Sequence, residues 1–224
     1  MKLDRGQVLG LLFVVASLAL TAAVYPRLPD PMPTHWSSEM EPDGFTPKPL
    51  GAFLPAGILG GVWLLFVVLP RISPRGFRFE SFSRAWRVLQ PTLMGFFFLV
   101  TSLILATAAG ARVPLERALG ASMGVMLIIL GNFMGKLTKN FFIGIRTPWT
   151  IASDEVWLRT HRLGGKLFVL AGVALFAAAA AGVGMVVAIG AVVVAALISA
   201  VYSYVLYRRL EGFREAPAGE GPPR

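Results

Sequence analysis

The chain contains no cysteine, and charged residues make up only 15% of it. Without cysteine there is no disulfide framework, no thiolate chemistry and no cysteine-based metal site. The charges cluster between long apolar runs instead of being spread through them, which excludes an ordinary soluble domain. The runs are continuously apolar, whereas the strands of a membrane barrel alternate, so a barrel is excluded as well.

Six apolar runs are long enough to cross a bilayer. A helix rises 1.5 Å per residue, so about 20 residues cover a hydrocarbon core roughly 30 Å thick. The predicted spans are 8–24, 51–69, 91–110, 118–135, 167–183 and 185–207. The sequence therefore predicts an all-α, polytopic membrane protein. The first span has a second interpretation as a secretory signal, because Lys2 and Arg5 precede it and small residues follow it.

The distribution of basic residues predicts the orientation. If the N-terminus is cytoplasmic, 17 of the 21 Lys and Arg residues lie on the cytoplasmic side and 4 lie outside. Cytoplasmic loops retain Lys and Arg, so this asymmetry predicts that both termini are inside. The net charge of +9 is thereby a topology signal, and direct binding of nucleic acid is not expected.

Small residues indicate how the spans pack. Gly120, Gly124, Gly131 and Gly135 fall near one face of span four, and a face without side chains permits close helix contact, so we expect span four to be central. Acidic residues, lysine, arginine and histidine are missing from the six predicted spans, which argues against an ion-coupled pump. For Asn132, near the end of span four, a structural hydrogen bond is favoured over a ligand contact.

The external loop at 25–50 is rich in proline. Its prolines predict extended backbone, and Pro42-Asp43-Gly44 predicts a turn that displays His35 and Trp36 near the membrane surface. The candidate binding residues here are Pro33, Thr34, His35, Trp36, Asp43 and Gly44. A divalent-cation site built from His35, Glu39, Glu41 and Asp43 is the alternative to simple solvation of the acids. Solvation is favoured, so no metal and no cofactor are predicted.

The cytoplasmic loop at 136–166 carries two helix-start signals, Thr147-Pro148 and Ser153, and its helix is expected to end near Gly164-Gly165. Two interpretations stay open. In the first, a short interfacial helix places Trp157 at the lipid headgroups and turns basic side chains, namely Arg159, Arg162 and Lys166, toward anionic lipid. In the second, a cytoplasm-facing pocket for a peptide, headgroup or protein is formed by Asn140, Arg146, Trp149, Trp157 and His161.

Three sequence motifs are distinctive: LPDPMPTHW and EPDGF in the first half, and the long stretch GNFMGKLTKNFFIGIRTPWTIASDEVWLRTHRLGGKLF in the second half. In these motifs the chain resembles the SdpI family of bacterial peptide-toxin immunity proteins, with a first half like a membrane domain often fused to that family. The positions that match the family signature are Asn132, Lys136, Asn140, Gly144, Arg146, Thr147, Pro148, Trp149, Trp157, Thr160, His161 and Gly165, to which we add Glu155, four residues before Arg159. Ile151 and Ala152 depart from the usual Leu and Ser of the signature.

The resemblance implies a multi-pass protein of the bacterial cytoplasmic (inner) membrane that is not an enzyme. It further implies protection against a secreted antimicrobial peptide by binding it, with sequestration of a cytoplasmic transcriptional repressor as a second role. The alternative is an envelope-maintenance, transporter-like or lipid-headgroup-modifying protein. We expect a three-helix half at 1–110, an SdpI-like three-helix half at 111–210 and a disordered tail at 211–224.

Overall fold

The structure is a computed structural model that describes residues 3–37, 40–72, 79–140, 142–183 and 185–212. Its helices are α1 (Arg5–Val24), α2 (Lys48–Val68), α3 (Phe79–Ala108), α4 (Leu115–Met134), α5 (Pro148–Ala152), α6 (Asp154–Ala181) and α7 (Met185–Leu210). Two strands, β1 (Met32–Trp36) and β2 (Pro42–Thr46), lie between α1 and α2. All of these helices except α5 are long and apolar enough to span a membrane, giving the six predicted spans. The predicted tail lies outside the described residues from position 213 onward.

Short polar side chains cap the N-termini of α1, α5 and α6. The Asp4 side chain accepts a hydrogen bond from the Gln7 N–H and caps α1. Thr147 caps α5 through the Thr150 N–H, and Ser153 caps α6 through the Val156 N–H. Both predicted start signals of the cytoplasmic loop are therefore confirmed.

The prediction that a separate loop helix ends near Gly164-Gly165 is wrong, because α6 continues through both glycines to Ala181. Each glycine is buried where another part of the chain comes very close. A Cβ added at Gly165 would lie 2.6 Å from the Gly131 carbonyl oxygen, and one added at Gly164 would meet the Ile145 side chain. These glycines lie within α6 and let neighbouring segments pack closely against it. The helix ends instead at Gly182, whose φ of 75° is left-handed.

Span four packs closely against α6, as the glycine pattern predicts, but the central helix of the second half is α6, which packs along both α4 and α7. Helix α4 packs along α6 and also contacts α3 and α7. The two long helices meet through facing glycines: a Cβ at Gly124 would lie 2.7 Å from the Gly172 carbonyl oxygen, and one at Gly131 would lie 2.8 Å from that of Gly165. Helix packing in a bilayer depends on such close approach, so this glycine seam holds α4 and α6 together.

The external loop forms an antiparallel hairpin that pairs Met32 with Thr46 and Trp36 with Pro42. The predicted turn at Pro42-Asp43-Gly44 is wrong, because these residues belong to β2. The chain reverses before β2, between Ser37 and Glu41, and the Ser37 N–H donates to the Glu41 carbonyl oxygen at 2.9 Å. Gly44 serves the strand pairing, since a Cβ there would lie 2.8 Å from the His35 Cβ.

Candidate functional site

A cluster of buried polar and aromatic side chains joins the cytoplasmic loop to the base of α6. Its members, Asn140, Trp157 and His161, are exposed by 4%, 1% and 0% of their surface, and we call them the loop cluster. Buried polar groups of this kind need hydrogen-bond partners, because leaving them unpaired costs free energy. The partners show what each side chain does.

Asn140 holds the loop that precedes α5. Its Oδ1 accepts from the N–H groups of Phe142 and Ile143 at 2.9 and 2.8 Å, and its Nδ2 donates to the carbonyls of Thr138 and Ile143 at 3.1 and 3.0 Å. The amide thus uses both of its donors and both acceptor lone pairs. This arrangement shapes the backbone and leaves the Asn140 side chain no capacity for a ligand.

Trp157 and His161 stack one turn apart on α6, with ring centroids 4.0 Å apart and an interplanar angle of 22°. The Trp157 indole N–H donates to the Leu137 carbonyl at 2.7 Å. Trp157 therefore connects α6 to the segment that follows α4. The interpretation that it lies among lipid headgroups is wrong, because the loop covers it.

His161 is hydrogen-bonded through both ring nitrogens. Its Nδ1 lies 2.8 Å from the Trp157 carbonyl oxygen, and its Nε2 accepts from the Ile145 N–H at 3.0 Å. This pair of bonds requires the neutral imidazole with the proton on Nδ1. Gly144, at φ 122°, lies against the ring, and a side chain there would collide with Nε2.

The predicted pocket of five residues is assembled only in part. Trp157 and His161 stack on each other and Asn140 shapes the loop before α5, but all three side chains are buried and already hydrogen-bonded. Arg146 is exposed, and Trp149 packs against Tyr204 of α7 with centroids 5.0 Å apart. The five residues therefore do not line one open pocket. Trp149 packs against α7, whereas Trp157 stacks on His161 within α6.

The remaining signature positions divide into packing residues and exposed residues. Thr147 hydrogen-bonds Ser203 of α7 at 2.9 Å, while Thr160 and Gly165 are buried. Glu155 pairs with Arg159, and Lys139 pairs with Asp154. The signature positions with exposed residues are Asn132, Lys136, Gly144, Arg146, Pro148 and Glu155.

The external candidates form two faces of the hairpin. His35 Nδ1 contacts Asp43 Oδ1 on the exposed face. Pro33, Thr34 and Trp36 border a pocket of about 180 Å³, beneath which lie side chains of α2 and α3. The apolar residues of that wall are Leu54, Pro55, Ile58, Phe97, Val100 and Ile104.

The alternative cation site of His35, Glu39, Glu41 and Asp43 is not assembled in the described part of the hairpin. Glu39 lies outside the described residues. Among the residues that are described, no group of three His, Asp or Glu side chains is arranged to hold a metal ion.

Sequence reasoning missed the helix wall of the external pocket and two buried glutamines in the first half. Gln7 sits at the start of α1, where its Nε2 lies 3.4 Å from the Phe66 carbonyl, and Gln90 is fully buried in α3. Gln90 directly precedes Pro91 in an apolar run, which was the available signal. The pocket wall carries no signal of its own, because Leu, Ile, Phe and Val at these positions are ordinary span residues.

The spans, the caps and the loop cluster define an all-α, multi-pass protein of a bacterial membrane. Residues 136–203 match the model of the SdpI/YfhL protein family, and residues 12–60 match a domain of unknown function, DUF1648. The chain is also 28% identical over 212 residues to the Immunity protein SdpI of Bacillus subtilis (strain 168), covering 94% of this chain and all of that relative. The predicted resemblance is confirmed, and no solved structure matches the chain.

The matched segment contains the whole loop cluster. It extends from Lys136 through α5 and into α7, and so includes the hydrogen bonds of Asn140, Trp157 and His161. The external strands lie within the segment matched by DUF1648. The two candidate regions therefore lie in segments that match two separate family models.

Proposed function

We propose that this protein is a membrane immunity protein that binds a secreted antimicrobial peptide at its outer face. Similarity over the full length of a relative named as an immunity protein supports a membrane immunity function. The pocket beneath the β1–β2 hairpin is the observation that supports peptide binding. It combines the predicted residues Pro33, Thr34 and Trp36 with the walls of two spans.

The shape and position of the pocket suit an amphipathic peptide. Leu54 and Ile58 of its wall are 39% and 52% exposed, so the pocket opens where α2 faces the bilayer. A space of about 180 Å³ is too small for a whole peptide but accepts an apolar side chain. A peptide lying in the membrane interface inserts one such anchor between the hairpin and the spans.

The exposed rim of the hairpin complements a basic peptide. Glu41 and Asp43 are both exposed next to the pocket-forming strand residues. Membrane-active amphipathic peptides carry Lys and Arg on their polar face. Acidic rim residues raise the association rate with such a peptide, while the buried anchor determines how slowly it leaves.

The test is binding of labelled, secreted membrane-active peptides to the purified protein in lipid nanodiscs. Trp36→Ala removes an edge of the pocket, and Val100→Trp fills it. Phe45→Ala is the matched control, because Phe45 is a hairpin residue that is 58% exposed and does not line the pocket. We expect both pocket variants to weaken binding at least tenfold and Phe45→Ala to bind as the wild type does. Equal binding by all four proteins would exclude the pocket.

A second candidate function is signalling, in which the cytoplasmic face recruits a soluble repressor. The observation that favours it is the connection of one loop to several helices: Trp157 reaches Leu137, Thr147 reaches Ser203, and Ser153 donates to Glu211 at 2.8 Å. Exposed Arg146 and Pro148 lie on this loop. A shift between the helices would change the surface that it presents.

Recruitment is tested by capturing the solubilised protein from cells treated with a protecting peptide and from untreated cells. Peptide-dependent enrichment of a soluble regulator supports signalling. Enrichment that does not depend on the peptide, or no enrichment, argues for immunity by binding alone.

Acid–base chemistry on a lipid headgroup is the least supported alternative. The groups that would perform it are already engaged, since both His161 nitrogens are bound, Asp154 pairs with Lys139, and Glu155 pairs with Arg159. A general acid or base needs a titrating atom within reach of its substrate. We therefore propose a binding protein, with envelope maintenance as the role to consider if no peptide is recognised.

A further inference from the structure

A groove of about 570 Å³ lies between the cytoplasmic ends of α4 and α6, away from the external pocket. Its floor is the glycine seam at Gly131 and Gly165. Its rim and walls are formed by Asn132, Gly135, Arg162, Lys166, Val169 and Leu170. The loop cluster does not line this groove. Asn132 and Gly165 are signature positions, and Arg162 and Lys166 are basic residues predicted from the sequence to face anionic lipid.

The rim of the groove carries unneutralised positive charge. Arg162 and Lys166 lie one helical turn apart on α6, and both are exposed. Their neighbours Lys139 and Arg159 each pair with a carboxylate. No carboxylate in the described part of the chain lies within ion-pair distance of Arg162 or Lys166.

Glycine at position 135 keeps the rim close to the backbone of α4. A Cβ added there would lie 3.5 Å from the Arg162 Cγ, so the arginine stem passes directly over this glycine. The exposed Asn132 side chain adds an amide donor on the opposite wall. Two cations and an amide around one opening are suited to the oxygens of a phosphate group.

The inner wall of the groove is apolar. Val169 and Leu170 follow Lys166 by one turn and Arg162 by two turns along α6, toward the membrane centre, and Leu170 is 66% exposed. A free phosphate ion would contact only the rim. A phospholipid would contact the rim with its headgroup and the apolar wall with an acyl chain.

We propose that this groove binds an anionic phospholipid of the cytoplasmic leaflet. Arg162, Lys166 and Asn132 hold the phosphate, and an acyl chain lies along Val169 and Leu170 above the glycine floor. The proposal is independent of the immunity function, since it uses different residues on the opposite side of the membrane. It makes the bound lipid part of the α4–α6 contact.

The test is native mass spectrometry of the intact protein titrated with phosphatidylglycerol or with phosphatidylcholine of the same acyl chains. The double variant Arg162→Gln/Lys166→Gln removes the rim charge. Arg208→Gln/Arg209→Gln is the matched control, because it removes two exposed arginines from the last turn of α7, outside the groove. Each variant is first checked for an unchanged melting temperature in detergent.

We expect the wild type to prefer phosphatidylglycerol, and the groove variant to lose about thirtyfold in affinity for it. The control variant should keep wild-type affinity. Equal binding of the two lipids by the wild type, or equal losses in both double variants, would overturn the proposal. Displacement of the lipid by glycerol phosphate at comparable concentration would also overturn it, because a free phosphate would then be the ligand.

Discussion

At the scale of single residues, His161 joins the loop before α5 to helix α6. Its Nε2 accepts from the Ile145 N–H, while its Nδ1 bonds the carbonyl of Trp157. Both bonds are shielded from water because the ring is fully buried. The loop before α5 is therefore anchored by one neutral side chain.

Replacing His161 by leucine should destabilise the protein. The substitution leaves the Ile145 N–H buried without its acceptor, which costs about 1–3 kcal/mol. The measurement is the free energy of unfolding in mixed micelles. His35→Leu is the control, because the His35 side chain is 73% exposed. Equal losses in the two variants would contradict the proposed role of the His161 bonds.

A comparison of alanine substitutions at Gly144 and Gly110 distinguishes the cost of backbone strain from the cost of a side-chain collision. Both have left-handed φ, 122° and 92°, but only Gly144 faces another group, while Gly110 has open space around it. Gly110→Ala should cost about 1–2 kcal/mol of unfolding free energy from strain alone. Gly144→Ala should cost clearly more, because the new methyl group displaces His161. Similar thermal stability of the two alanine variants would show that the ring is not held in place.

Single residues also show what the sequence could and could not predict. Asn140, Trp157 and His161 were singled out because the family resemblance marks their positions. Their burial was not predicted, since Trp and His are also common at membrane interfaces. Only the path of the loop across α6 distinguishes a buried tryptophan from an interfacial one.

At the scale of elements, the glycine seam between α4 and α6 is the principal contact of the second half. Gly124 faces Gly172, and Gly131 faces Gly165. Lipid offers no hydrophobic gain for helix association, so close van der Waals contact has to supply it. The seam also forms the floor of the proposed lipid groove.

Gly165→Ala should weaken this contact. The added methyl group would meet the Gly131 carbonyl oxygen, which belongs to backbone and cannot rotate away, so we expect a loss of about 1–3 kcal/mol. The measurement is resistance to unfolding in dodecyl sulfate. Gly61→Ala in α2 is the control, because nothing lies within 4 Å of a Cβ there. A Gly165→Ala protein as resistant as Gly61→Ala would argue against a tight seam.

Element boundaries were predictable where a side chain causes them. The caps at Thr147 and Ser153 arise from local hydrogen bonds, and both were recognised. Gly164-Gly165 was misread as a helix end, because glycine is used both for termination and for close packing. The choice between these uses depends on a neighbouring helix that one segment of sequence does not reveal.

At the scale of the whole molecule, six spans and a strong bias of basic residues predict that both termini are cytoplasmic. The hairpin and its pocket then lie outside, while the loop cluster and the proposed lipid groove lie inside. Span number was predictable because length and hydropathy determine it. The external pocket was not, since its wall is made of ordinary span residues from two helices.

The absence of native cysteine gives a direct test of this orientation. Asp43→Cys places a thiol on the hairpin, and Arg209→Cys places one at the end of α7, both at exposed positions. A membrane-impermeant maleimide should label Asp43→Cys in intact spheroplasts and Arg209→Cys only after permeabilisation. The unmodified protein is the blank. The reverse labelling pattern would invert the topology and with it both site assignments.

Protection against a secreted peptide is measured most directly by the survival of a sensitive bacterium. A toxin-sensitive bacterium is challenged with a panel of secreted membrane-active peptides, with and without this protein, while its membrane potential is recorded. We predict protection that is selective for one peptide class, with the potential preserved, and lost when residues 33–36 are replaced by glycine and serine at unchanged membrane expression. If cells with and without the protein die and depolarise at the same peptide concentrations, despite verified membrane insertion, the immunity function is contradicted.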